Sequence, residues 1–169
     1  MDSTRRRFVL ILLATGVFSF GTVATAHADV TGFVGGMTST SGGMGGGAFG
    51  KCFTRACWEL EYARAHGGSP TDEGSFETVG FNILVPFKSP IHRVKFYGLA
   101  GLGMYCQMFG EASGPGSANS LGGGVLLALA GPLTFRLDYR VVLLGQGDEG
   151  SQPVASRIQR VTTGLGVRF

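Results

Sequence analysis

The chain is poor in charge and in the residues that hold metals or run catalysis. Asp, Glu, Lys and Arg together make up 15% of its 169 residues, with three His and three Cys. The first shortage removes the clustered basic surface that nucleic-acid binding requires. The second leaves no cluster at metal-ligand spacing, because Cys52 and Cys57 are separated by four residues with no His nearby, a poor zinc signal. Long apolar runs are missing beyond residue 20, so the rest of the chain offers no stretch of the roughly 20 apolar residues that a spanning helix needs. The glycine runs 42–50 and 122–124 lack the Lys and Ser/Thr of a phosphate-binding loop. What is plentiful is glycine itself, 30 residues interleaved with strand formers rather than gathered into a linker, a pattern expected where space inside a narrow tube is short.

The one long apolar run lies at the start. Arg5, Arg6 and Arg7 form a basic segment, Phe8 to Phe20 an apolar one, and Ala26-His27-Ala28 the small-x-small pattern of a cleavage site. Residues 1–28 are therefore expected to be a cleaved signal peptide, and residues 29–169 a single exported domain. Removing the leader takes away three cations and Asp2, so the net charge of +3 falls to +1, and the pI of about 9.0 is largely a property of the leader.

Period-two alternation dominates residues 29–169. In RVTTGLGVRF, Val161, Thr163, Leu165, Val167 and Phe169 share one parity, while Arg160, Gly164, Gly166 and Arg168 share the other. Phe81, Ile83, Val85 and Phe87 alternate with Gly80, Asn82 and Leu84 in the same way, as do Phe135, Leu137 and Tyr139 with Arg136, Asp138 and Arg140. Eight strands are predicted, over approximately 30–37, 45–52, 57–64, 76–87, 93–108, 120–130, 133–144 and 157–169. Segment 57–65 also fits a helix, with Trp58 and Tyr62 four apart, although alternation describes it at least as well. The intervening segments alternate in length: 53–56, 88–92 and 131–132 are tight, whereas 38–45, 65–75, 109–119 and 145–156 are longer and rich in Gly, Ser and acids. An even-stranded meander with short turns at one end and long loops at the other is the pattern of an outer-membrane barrel, in which apolar residues face lipid and polar or small ones face inward.

The pieces GGGVLLALAGPLTFRLDYRVV, FYGLAGLGMY and TTGLGVRF resemble the small eight-stranded outer-membrane barrels, the OmpA-like transmembrane domain and opacity-protein-like porin families. The resemblance spans nearly all of residues 29–169. It implies an all-β, eight-stranded antiparallel up-and-down transmembrane barrel in the outer membrane of a Gram-negative envelope, with lipid on Phe81, Ile83, Phe135, Leu137, Tyr139, Leu165, Val167 and Phe169. It further implies that Phe169, as a C-terminal aromatic, is the signal read by the outer-membrane assembly machinery. No peptidoglycan-binding domain, and hence no tether to the cell wall, is expected after Phe169.

On the inward parity Glu59, Glu61, Arg136, Asp138, Arg140, Arg160 and Arg168 would share a narrow tube, where Arg–carboxylate pairing offsets the cost of burial. Such pairs form either a fixed plug or, as is proposed for some members of the resembling families, a gate in which Arg136 or Arg140 exchanges partners. Cys52 and Cys57 would lie opposite one another across a hairpin, disulfide-bonded in an oxidising periplasm or else reduced. Cys106 shares the outward parity. No catalytic residue or cofactor site is expected, since His66, beside Ser69, Asp72 and Glu73 in a loop, and His92, in a turn, would sit at opposite ends of the barrel. Three functions fit: a structural and surface protein with loops open to ligand or host contact, a narrow porin-like channel for small solutes or ions, and a soluble lipocalin-like binding barrel.

Overall fold

The computed structural model describes residues 27–38, 40–53, 55–67, 74–87, 89–109, 112–147 and 156–169. They form eight strands: β1 (His27–Met37), β2 (Thr40–Cys52), β3 (Cys57–His66), β4 (Ser75–Phe87), β5 (Val94–Phe109), β6 (Ala112–Ala128), β7 (Leu133–Gly147) and β8 (Arg157–Arg168). Each pairs antiparallel with the next, and β1 closes on β8 from Asp29↔Arg168 to Met37↔Arg160, so the sheet is a barrel without edges. Segment 57–66 is a strand, its side chains alternating between buried and exposed over Glu59 to His66. Its helix-forming residues are overridden by ladders on both sides, Glu59 pairing with Gly50 and Asn82. Residues 1–26 lie outside the described residues, and with them all of the expected leader 1–28 except His27 and Ala28. These open β1, where Ala28 exchanges two backbone hydrogen bonds with Phe169, of 2.8 and 3.0 Å.

The barrel is inverted relative to a soluble one. Along β8, Val161, Leu165 and Val167 are 50%, 60% and 43% exposed, while Arg160 and Thr162 are 4% and 3% exposed. The same division runs around the barrel, placing Phe81, Ile83, Phe135, Leu137, Tyr139 and Phe169 outside. Phe49, Trp58 and Phe81 make contiguous ring contacts on that outer face. Every strand has at least 10 residues, which meets the 9–11 that a tilted strand needs to cross a bilayer.

The connections depart from the expected alternation. At the end carrying the chain termini the turns are short, and Gly131 takes a left-handed φ of +58° in the β6–β7 turn, a conformation that favours glycine. At the opposite end, the loop end, only two links are long, since β1 reaches Met37 before β2 starts at Thr40, and β5 reaches Phe109 before β6 starts at Ala112. Segment 112–119 reads as a loop because of its Gly, Ser and Pro, yet it is strand. Pro115 is accommodated because it pairs only with Cys106 of β5; the ladder to β7 begins at Gly116, so the missing N–H breaks no bond there. Gly116 is needed because a Cβ would sit 2.5 Å from the Tyr105 ring.

Candidate functional site

The interior is layered, and the layers follow the chemistry of successive inward positions. Toward the loop end it is apolar: Met37, Met44, Phe76, Tyr105, Val142, Leu144 and Ile158 are buried together, and Phe76 stacks on Tyr105 with ring centroids 5.6 Å apart. Tyr105 donates its hydroxyl to the Gly145 carbonyl at 3.1 Å, which satisfies its one polar atom. Alternation puts Val142 and Leu144 on the same inward row as Arg136 and Arg140, but it does not say which inward side chains of the other strands stand at their height, and so does not foretell this layer.

Midway lies a charge-balanced cluster of three carboxylates, Glu59, Glu61 and Asp138, and three guanidiniums, Arg136, Arg140 and Arg160, all at most 7% exposed. β3 supplies the two glutamates at i and i+2, β7 supplies Arg136, Asp138 and Arg140 in the same fashion, and β8 supplies Arg160. Arg136 is paired with Glu59 through Nη1 and with Asp138 through Nε at 2.7 Å. Arg140 touches all three carboxylates, at 2.6 Å to Glu61, 3.4 Å to Asp138 and 3.5 Å to Glu59. Arg160 Nη2 donates to Glu61 at 2.5 Å, and its guanidinium lies over the Phe33 ring. Six of the seven charged residues that alternation places inward, Glu59, Glu61, Arg136, Asp138, Arg140 and Arg160, thus meet in one cluster. Arg168 does not join them; it pairs with Asp29 at 3.7 Å at the termini end.

Three neutral residues complete the cluster. The Tyr97 hydroxyl donates to Asp138 and accepts from Arg136 Nε at 2.8 Å, Asn82 Nδ2 donates to Glu59 at 3.2 Å, and Ser120 donates to Asn82 Oδ1 at 3.3 Å. Asn82 stands on an inward row of β4 otherwise filled by apolar or small residues, the one signal that could have flagged it, whereas the inward row of β5 that carries Tyr97 also holds Lys95, Tyr105 and Gln107. Glycine makes room for the long side chains: a Cβ on Gly122 would stand 2.2 Å from the Tyr139 carbonyl and 3.1 Å from Arg140 Cγ.

The Cys52 and Cys57 sulfurs are bonded, closing the β2–β3 hairpin, while Cys106 is a free thiol on the outward parity of β5. His66 ends β3 at the loop end and His92 lies in the β4–β5 turn at the termini end. Ser69, Asp72 and Glu73 lie outside the described residues. Among the described residues no group of His, Cys, Asp and Glu could hold a metal ion.

No protein-family model matches the chain, and no curated protein matches it in sequence. Solved structures do. Neisserial surface protein A superposes with a TM-score of 0.65 at 16% identity, covering 85% of this chain and 96% of its own. The N-terminal β-barrel domain of Pseudomonas aeruginosa OprF gives 0.60 at 15% identity, covering 85% and 97%. The outer-membrane enzyme PagL gives 0.56 at 16% identity, covering 82% and 98%. The chain therefore has the fold of the small eight-stranded outer-membrane barrels.

Proposed function

We propose that this chain is an integral outer-membrane protein with a closed interior and a structural and surface role, exported through the leader 1–28. The observation that carries the reading is the inversion of the barrel, with a continuous apolar outer face over a charged, fully enclosed centre. In water such a face would be an aggregation surface, and in a bilayer it is the required one. The soluble lipocalin-like alternative needs the opposite arrangement.

The interior argues against a channel as well. The buried apolar layer, Met37, Met44, Phe76, Tyr105, Val142, Leu144 and Ile158, lies across the path from the ion-pair cluster to the loop end. An ion crossing it would lose its hydration with no polar partner in exchange. A catalytic role is disfavoured by the separation of His66 from His92 at opposite ends, although one protein of similar fold, PagL, is an enzyme. The segments 67–74 and 148–156 are the places where ligand or host contact would fall, since the other two loop-end links are too short to present a surface.

The experiment that tests this is fractionation of inner and outer membranes followed by SDS gels with and without boiling. A band in the outer membrane that shifts on boiling, with no conductance steps from the purified protein in planar bilayers, is the expected result. Recovery as a soluble periplasmic protein would overturn the membrane reading, and steady conductance would overturn the closed interior.

Phe169 is proposed as the assembly signal that the family resemblance implies. Deleting it should lower the folded, heat-shifting fraction in cells by about tenfold, while refolding of the same variant in detergent should change far less. The interior side chains are untouched and only the backbone pair with Ala28 at the rim is lost, so most of the loss would lie in recognition and not in stability. Equal loss in both assays would make Phe169 a packing residue instead.

A further inference from the structure

The termini end of the interior is unfilled. A cavity of about 350 Å³ opens there, between the start of β1, the β2–β3 hairpin and the adjoining ends of β4 and β5. That is within the range of small-molecule sites. An eight-stranded barrel is just wide enough to be filled by its own side chains. Here Thr31, Gly50 and the bonded Cys52–Cys57 pair are too short to meet across it.

The walls are mainly apolar, with Leu84, Pro86 and Leu126 contributing, and the inner end is closed by Tyr97 and Arg136. Lys51 and Trp58 pair with each other on the outward parity of β2 and β3, so the ionic side chains of the lining are Lys95, Arg136 and Arg168 against Asp29 and Glu59. Arg136 is neutralised by Glu59 and Arg168 pairs with Asp29, whereas Lys95, on the inward parity it shares with Tyr97, has no ion-pair partner among the described residues. One uncompensated cation thus stands over an apolar hollow.

We propose that this cavity binds a small organic anion with an apolar body, a monocarboxylate of about the size of benzoate. Its carboxylate would meet Lys95 and its body would lie against Leu84 and Leu126. Desolvating the apolar body supplies affinity, and the Lys95 ammonium supplies the choice of charge sign. The inference does not depend on which compartment this end faces, because the cavity belongs to the barrel itself.

The test uses the full barrel domain refolded in detergent micelles, titrated with 4-fluorobenzoate, 4-fluorobenzyl alcohol and 4-fluorobenzylamine and followed by fluorine NMR line width. Saturable binding of the benzoate is expected, with the alcohol and the amine weaker by about tenfold or more. The variant Lys95→Gln, which breaks no ion pair, should weaken the benzoate by about fivefold or more, and Leu126→Trp should abolish its binding by filling the hollow. Equal binding of the alcohol, unchanged affinity in both variants, or no saturation of the line width would each overturn the proposal. If Leu126→Trp does not refold, judged by the heat shift, Lys95→Gln alone decides.

Discussion

Replacing Arg140 with methionine should destabilise the folded barrel by about 3–5 kcal/mol, the usual cost of removing one partner from a buried ion-pair cluster. Arg140 is the guanidinium that reaches Glu59, Glu61 and Asp138 together. Without it three carboxylates share the two remaining guanidiniums in a space that admits little solvent, and Glu61 is left to Arg160 alone. Urea titration of the refolded protein in phospholipid vesicles, read by the heat-shifted fraction, measures the loss. Adding Glu61→Gln to Arg140→Met should recover part of it, because the pair is coupled and the double change restores the charge balance. Arg168→Met is the contrast. Its partner Asp29 is 3.7 Å away and both side chains are partly exposed, so the loss there should stay below about 1 kcal/mol. Equal small losses at the two sites would sink the view that the cluster holds the interior together.

Placing arginine at position 137 should cost about 2–4 kcal/mol when the barrel is folded in lipid. Leu137 points outward and is 46% exposed, and it pairs with Val125 and Thr163, about midway along the described barrel wall. A charge there meets hydrocarbon on the bilayer reading and water on the soluble one. Leu129→Arg, beside the β6–β7 turn at the termini end, should cost no more than about 1 kcal/mol, because the penalty falls toward the interface. The two variants compared in the same vesicles separate a depth effect from a general dislike of arginine. A Leu137→Arg protein as stable as the parent would count against membrane insertion.

Legibility in the sequence differs from feature to feature. The outward positions of Phe81, Leu137 and Leu165 and the inward positions of Glu59, Arg136 and Arg140 follow from alternation, since a strand turns successive side chains to opposite faces whatever lies beyond it. Segment 112–119 reads as loop because Gly, Ser and Pro weaken a strand on its own, while β5 supplies a partner from Ala112 onward and Tyr105 packs against Gly116. The roles of Tyr97 and Asn82 escape a reading of the sequence because an inward row does not say which partner across the barrel a polar side chain meets. Their roles come from Asp138 and Glu59, which are 41 and 23 residues away in the chain.

The all-β architecture, the two faces of each strand and the set of charges that share the interior were legible residue by residue, because each of these depends on a period of two and on residues close together in the chain. Closure of β1 on β8, the place of Arg140 rather than Arg168 among the carboxylates, the apolar layer at the loop end and the cavity at the other emerge only in three dimensions. Those outcomes depend on the stagger of eight strands around a closed tube, which sets the height of every inward side chain relative to partners far away in the chain.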